Sequence, residues 1–489
     1  MESWLRPLYD ADGIRAVDRW AIEEQGVPSA QLMEAAGTAL AEAVAGLAPQ
    51  GPVRVLCGKG NNGGDGEVAA RRLSAMGFEV EAANLWSDDV PADLDGWLAG
   101  AGTIVDAIFG TGFDGAPRQP AAAAIEAINR CGMPVVACDI ASGVDASSGE
   151  VEGVAVEADL TVSFHAAKVG HRIAPGKWHT GELLVVPIGI PPGAPERPAA
   201  GTIDPAVLAL APRRGPRSTK FSSGQVAIAG GSRGLTGAVR MSSLAAIRAG
   251  AGYATVAVPT DLEAVFEAGE PEVMSVGCPG GDGCLTLASA KAILRTFEPA
   301  AAGVIGPGLG RDPGSVELAR EVVGGIEAPL VIDADGLNAF AEHLTPIAAR
   351  EAPSVLTPHA GELGRLLGRD SEQISAHRLA STREAARAAG AVVVLKGDDT
   401  IVSDGERVAV NALSAPALAT AGSGDVLSGI LAALLARGLE PFAAACAAVV
   451  GHARAGRDAA ARVGAAESVI ASDVIDSIPV GLRPGEPVE

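Results

Sequence analysis

Residues 57–66 read Cys-Gly-Lys-Gly-Asn-Asn-Gly-Gly-Asp-Gly, between an apolar run at 53–57 and a helix-like stretch at 67–76. The order predicts a strand, a glycine-rich loop and a helix. Glycines let the backbone approach an anion, and the free N–H groups and dipole at a helix start favour its charge. Asn61, Asn62 and Asp65 add polar groups that phosphate binding alone does not require. A second loop, Ala421-Gly422-Ser423-Gly424-Asp425, opens an apolar helix in the other half of the chain. Two anion loops in two halves predict two active sites.

The chain has 489 residues, more than one ordinary core, so about two to four domains are expected. Its hydrophobic content of 48% describes a packed globular protein, and its formal charge of -22 opposes binding to nucleic acid or anionic membranes. Phosphorylated ligands must then be held by local donors. The start, Met-Glu-Ser-Trp-Leu-Arg-Pro-Leu, reads as no signal peptide, and the apolar stretch 426–450 is broken by Arg437, Glu440 and Pro441. A cytoplasmic protein with no membrane span is expected. The six cysteines have no zinc-like spacing and read as small buried hydrophobes.

Short apolar runs at 53–57, 103–108, 134–140 and 183–188 alternate with Ala-rich helical patterns, as do runs at 224–229, 254–258, 303–306, 330–333, 354–357 and 391–396. That alternation predicts parallel strands with crossover helices in both halves. Periodicity fails across the Pro-rich stretch 191–216, which is read as a linker containing a short helix, with domains at 1–205 and 206–489. Polar motifs lie at predicted strand ends, where open α/β sheets bind ligands.

Gly58-x-Gly60-x-x-Gly63 matches the dinucleotide fingerprint in form. A dehydrogenase also needs an acidic residue at the end of the next strand, and Asn84-Leu85-Trp86-Ser87-Asp88-Asp89 does not clearly supply it. The ordered series of residues 61–66, Asp106-Ala107-Ile108-Phe109-Gly110-Thr111-Gly112 and Asp139-Ile140-Ala141-Ser142-Gly143-Val144-Asp145 is more specific. With the opening Gln31-Leu32-Met33-Glu34-Ala35-Ala36-Gly37, it resembles the NAD(P)H-hydrate epimerase family over about residues 8–190. The usual Pro of the third motif is Ala141 here.

The resemblance implies a Rossmann-like domain. Asn61, Asn62, Gly63, Gly64 and Asp65 with Gly110, Thr111, Gly112, Phe113, Asp114, Gly115 and Ala116 would hold the hydrated dinucleotide. Asp139 would be the catalytic acid/base at the reacting ring, and Asn62, Asp106 and Ser142 would ligate potassium. Taken singly, Asp106, Asp139 and Asp145 could equally close turns. Lys59, His165 and Lys168 are read as phosphate contacts or as surface and turn residues.

The second half carries residues 230–238, Gly306-Pro307-Gly308-Leu309-Gly310, Asp333-Ala334-Asp335-Gly336-Leu337-Asn338, Thr357-Pro358-His359-Ala360-Gly361-Glu362, Lys396-Gly397-Asp398-Asp399-Thr400 and 421–425. Over about 218–480 this series resembles the ADP- or ATP-dependent NAD(P)H-hydrate dehydratases of the ribokinase-like superfamily. The resemblance implies an anion hole at Ala421, Gly422, Ser423 and Gly424, and catalysis by Asp425. Lys396, Gly397, Asp398, Asp399, Thr400 and Gly424 would bind the adenine nucleotide, while Ala238, Gly308, His359 and Asp425 would meet the hydrated cofactor. Magnesium would bridge phosphates near Glu362. Residues 411–416 depart from a Gly-Asn-Pro run common in the family.

Together the two resemblances imply a bifunctional repair enzyme with ADP or ATP as co-substrate, assembled as a homo-oligomer of four or more chains. The alternatives are a small-alcohol kinase of the hydroxyethylthiazole type in the second half and a non-catalytic binding module in the first.

Overall fold

The computed structural model describes residues 1–87, 90–195 and 197–484. Asp88 and Asp89, which bear on the dehydrogenase alternative, lie outside them, as does Glu196 of the expected linker. The chain divides into two compact units: residues 7–201 with Met1, and residues 2–6 with 202–489. Both are α/β.

The first unit holds a six-stranded, all-parallel sheet ordered Val80–Asn84, Val53–Cys57, Thr103–Ala107, Val135–Cys138, Leu160–Phe164 and Glu182–Val186. Alternate residues point to opposite faces, so Leu56, Ile104 and Ala137 join one apolar cluster while Val55, Val105 and Val136 join another. From Val53–Cys57 the chain goes first to one side of the sheet and then to the other. The crevice beyond the ends of Val53–Cys57 and Thr103–Ala107 is therefore a topological switch point, where such sheets bind ligands.

The glycine-rich segment corrects its sequence reading. The helix begins at Asn61, not near 67, with Gly60 as its N-cap, so residues 61–66 form its first turns. A Cβ at Gly63 would lie 2.0 Å from Gly58 O, one at Gly66 2.5 Å from Ala107 Cβ, and one at Gly58 1.9 Å from Ile108 O. These glycines permit close packing of helix, strand and loop. The residues of this segment that line the pocket are Lys59, Gly60, Asn61, Asn62 and Asp65.

The second unit carries the longer sheet, running from Leu5–Leu8 and Ala200–Ile203 through Val408–Val410, Ile401–Ser403, Val392–Leu395, Ser354–Leu356, Leu330–Ile332, Ala302–Ile305, Gln225–Ala229 and Tyr253–Pro259 to Val273–Cys278. Its centre is parallel, and Ile401–Ser403 pairs antiparallel on both sides. The division of units falls inside Leu5–Leu8 and Ala200–Ile203. Residues 2–6 thus belong with the second unit, unlike the boundary at 205/206, because the first strand pairs with Ala200–Ile203. The expected linker holds that strand and a 3-10 turn at Pro205–Leu210. The apolar stretch 426–450 falls in two largely buried helices, Ser423–Ala436 and Pro441–Val463. Among the described residues, no helix is long and apolar enough to cross a membrane.

Trp4 is 5% exposed and its ring centroid lies 6.2 Å from that of Phe442, within the second unit. Trp4→Ala removes this packing and should cost about 3–5 kcal/mol. The second unit's denaturant midpoint should fall accordingly; an unchanged midpoint would show that the N-terminal residues add nothing to its core.

Candidate active sites

A cavity of about 700 Å³ opens at the switch point of the first unit. Its walls include Asp18, Asn61, Asn62, Asp65, Gly110, Thr111, Gly112, Phe113, Asp114 and Asp139. Gly63, Gly64, Gly115 and Ala116 do not line it. Gly64 is closed off by Met33, whose side chain a Cβ there would meet at 2.8 Å. The helix starting at Asn61 aims its unpaired N–H groups and positive dipole end at this space.

Asp139 follows strand Val135–Cys138 with φ at +67°, in the left-handed region, and is 8% exposed. One carboxylate oxygen accepts from Lys168 Nζ and from Phe164 N–H (3.2 Å), and the other accepts from the Thr111 hydroxyl. Lys168 is fully buried and also donates to Ser163 Oγ (2.8 Å) and Phe164 O (3.0 Å). Its reading as a phosphate contact or surface residue is overturned, because all three of its donors are used inside the fold. His171 Nδ1 accepts from Lys168 N–H at 3.0 Å, so Nε2 carries the proton and donates to Asp139 O at 3.0 Å. Burial, then the Lys168 charge, pushes the His171 pKa down to about 3, so the ring stays neutral.

Burial opposes ionisation of Asp139, but the charge and hydrogen bond of Lys168, with those from Thr111 and Phe164, hold its pKa below the usual carboxylate range. Asp65 differs. Burial, then Asp139 and Asp18, pushes it up to about 8, and Asp18 is raised by burial and by Asp139. The cavity therefore carries an ionised carboxylate and a protonated one at neutral pH, the separation that acid–base chemistry needs. Asp106 is fully buried, and its oxygens accept from Ser142 N–H (2.8 Å), Ser142 Oγ (2.6 Å) and Ile108 N–H (3.2 Å). Burial raises it to about 6 against those hydrogen bonds. Asn62 Nδ2 is buried without a partner among the described residues.

In the second unit, loop 421–425 turns through Gly422 (φ +88°) into helix Ser423–Ala436. Asp425 sits in its first turn. Burial, followed by Asp333, pushes its pKa up to about 7 against the pull of Lys396. Asp333, 1% exposed, accepts from Lys396 Nζ at 3.1 Å and from the Ser428 hydroxyl. Lys396 Nζ also lies 3.6 Å from Glu362. Despite burial, Asp333 and Glu362 raise the Lys396 pKa, which keeps it cationic.

A cavity of about 310 Å³ adjoins this loop, walled by Lys396, Gly397, Asp398, Thr400, Ser423 and Gly424 with residues from 411–419. The departing segment 411–416 thus forms part of the wall. Asp399 does not, since it is 3% exposed and paired with Arg378 at 2.9 Å. Its place in the nucleotide-binding run is structural, holding the loop that carries Gly397 and Thr400. Gly308 sits beside Ala238: a Cβ on Gly308 would lie 3.3 Å from the Ala238 Cβ. His359 caps its own helix, Nδ1 accepting from Gly361 N–H (3.0 Å) and Glu362 N–H (3.3 Å). Residues 333–335, 359–362, 396 and 425 converge through these contacts and charges. The partnership of Lys168, His171, Asp18 and Thr111 with Asp139 had no sequence signal, since it depends on segments up to 121 residues apart.

Lys168→Met leaves the Asp139 carboxylate buried without its cation, which should destabilise the first unit by about 3–5 kcal/mol at neutral pH. An Asp with a depressed folded pKa adds stability that is present above its unfolded pKa and lost as pH falls through the folded one. The gap between variant and wild type should therefore narrow in acid. Denaturant melts at several pH values check this; a gap independent of pH would mean the pair contributes by packing alone.

Family models match both halves: one described as NAD(P)H-hydrate dehydratase over residues 226–480, and one as YjeF-related protein N-terminus over 29–95 and 82–170. The chain is 38% identical to the bifunctional NAD(P)H-hydrate repair enzyme Nnr of Salinibacter ruber, covering 98% of this chain and 96% of that one. It is also 38% identical to the Nnr enzyme of Pyrobaculum aerophilum, over 94% and 95% of the two chains. Among solved structures, the ADP/ATP-dependent NAD(P)H-hydrate dehydratase of Bacillus subtilis, co-crystallised with ATP and Mg²⁺, is 28% identical. It covers 56% of this chain and 94% of its own, with a TM-score of 0.49. Near-full-length identity at this level, with a family match in each half, places the chain in the family of bifunctional NAD(P)H-hydrate repair enzymes.

Proposed function

We propose that the first unit interconverts the R and S epimers of hydrated NADH and NADPH, and that the second removes water from the S epimer with ADP or ATP. The observation that carries this reading is the paired arrangement of carboxylates. In each unit a lysine pins one aspartate, Lys168 with Asp139 and Lys396 with Asp333, while a second, Asp65 or Asp425, is pushed towards neutral pH.

In the first cavity the dinucleotide phosphates meet the N–H groups at 61–62, and residues 110–114 border the ligand. Loss of the C6 hydroxyl leaves a cationic ring, which the ionised Asp139 stabilises, while the protonated Asp65 donates to the departing oxygen. Water then adds to the opposite face and a proton returns to Asp65, which completes epimerisation. Potassium fits at Asn62, Asp106 and Ser142: these are hard oxygen donors, and Asp106 is a buried carboxylate with no basic side chain among its partners. It would supply the missing positive charge there.

In the second unit Asp425 takes the proton of the C6 hydroxyl as its oxygen attacks the terminal phosphoryl group. N–H groups at 421–424 receive the developing charge. Loss of phosphate from C6 together with a proton from C5 then restores the ring's double bond, giving AMP and phosphate when ADP is used. Magnesium would come with the nucleotide phosphates and neutralise them. Glu362 uses Oε2 for His359 N–H (2.8 Å) and for facing Lys396 (3.6 Å), which leaves Oε1 for a metal. Ala238, Gly308 and His359 border the hydrated cofactor in this reading, which also takes the enzyme as cytoplasmic and homo-oligomeric.

Asp139→Asn should slow R-to-S exchange about 10²–10³-fold, the loss of one charge-stabilising group, while leaving nucleotide-dependent dehydration of the S hydrate intact. Chiral chromatography of an R-enriched hydrate without nucleotide measures it, and wild-type exchange would show that Asp139 only shapes its loop.

Asp425→Asn should do the converse, abolishing recovery of the reduced-nicotinamide absorbance while exchange persists. In wild type, dehydration should rise with pH through about 7, as the base ionises. A rate flat from pH 6 to 8 with chemistry limiting would remove Asp425 as the proton acceptor.

A further inference from the structure

The 310 Å³ cavity of the second unit has mostly apolar walls, including Leu413, Pro416, Leu418, Leu427 and Val449. Most of its polar side chains are already engaged. Thr400 Oγ1 donates to Gly397 O (2.6 Å), Asn411 Nδ2 to Leu413 O (2.9 Å), Ser423 Oγ to Leu418 O (2.7 Å), and Asp398 accepts from Ser414 Oγ (2.5 Å). His452 differs. It enters the wall from helix Pro441–Val463, is 7% exposed, and its Nε2 is buried with no partner among the described residues.

An unpaired buried nitrogen destabilises a fold, so one on a residue that lines a cavity is a position at which a ligand could complete the bonding. Burial, then the Lys396 charge, pushes the His452 pKa down to about 4, so the ring is neutral at neutral pH. It can then offer one donor and one acceptor nitrogen without repelling or attracting phosphate as a charge would. Phosphates have their own donors at 421–424 and Lys396, whereas the apolar wall suits a flat heterocycle and its sugar.

We propose that His452 Nε2 hydrogen-bonds the nucleoside of the bound adenine nucleotide and so helps to select it, an inference resting on the nucleotide reading of this site. The histidine binds the nucleotide and takes no part in proton transfer in this reading. Its loss should raise the KM for nucleotide far more than it lowers kcat.

The test is calorimetric binding of ADP and of pyrophosphate to wild type, His452→Leu and His452→Gln, with thermal melting of each protein. His452→Leu should bind ADP about tenfold more weakly, as expected for one lost hydrogen bond of ordinary strength. Pyrophosphate, which lacks the nucleoside, should bind all three alike, and His452→Gln should recover part of the ADP affinity. Without ligand, His452→Leu should melt no lower than wild type, because it removes an unsatisfied polar atom. Unchanged ADP affinity in His452→Leu overturns the proposal, as does an equal loss for pyrophosphate. If the Leu variant fails to fold, His452→Phe, which fills the same space without a ring nitrogen, replaces it, and unchanged ADP binding by that variant overturns the proposal equally. Wild type that binds neither ADP nor ATP instead sinks the nucleotide reading itself.

Discussion

Parallel strands deliver their carboxyl ends to one edge of a sheet, and the chemistry of both units depends on that constraint. Strand interiors carry apolar residues to the two faces, so polar side chains collect just beyond the last paired residue. Asp106 lies in its strand near that edge, and Asp139, Asp333 and Lys396 follow their strands directly. Strand register then decides which of them meet. In the first unit the order of the sheet places the ends of Val53–Cys57 and Thr103–Ala107 side by side, and the cavity opens there.

Collecting carboxylates at one edge carries an electrostatic cost, and both units meet it with the same device. A buried or half-buried lysine neutralises one acid, and the remaining acid is left to rise. Lys168 is fully buried and Lys396 is 22% exposed at its side chain, yet each has an aspartate partner. Removing charge from water is tolerated only when the partner is fixed. His171 and Thr111 fix Asp139, and Ser428 fixes Asp333. In the first unit the outcome is a pair of acids in different protonation states at one pH, from identical side chains in different surroundings.

Glycine performs different work in the two loops. At 422 the chain needs a positive φ to enter the helix, and a Cβ there would lie 2.5 Å from Met241. At 63 and 66 the backbone is helical and glycine is required by neighbours: Gly58 O on one side and Ala107 on the other. Reading both loops as anion cradles treats their glycines alike, whereas the first loop's glycines chiefly let a helix lie close against the sheet.

Sequence alone determined the α/β class, most strands of both sheets, and the motif series that carries the family resemblance. Those features are local: a short apolar run or a glycine before a helix has the same physical meaning wherever it occurs. Strands Ile401–Ser403 and Val408–Val410 pair antiparallel with no helix between them, outside the alternation of apolar runs and helices, and Leu160–Phe164 mixes polar residues into a buried position because Thr161 and Ser163 find partners. The placement of residues 2–6, the helix start at Asn61 and the removal of Asp399 from the cavity wall were decided by tertiary structure. So was the bond between Lys168 and Asp139, since a side chain's charge state and its partner are set by burial and by loops distant in the chain.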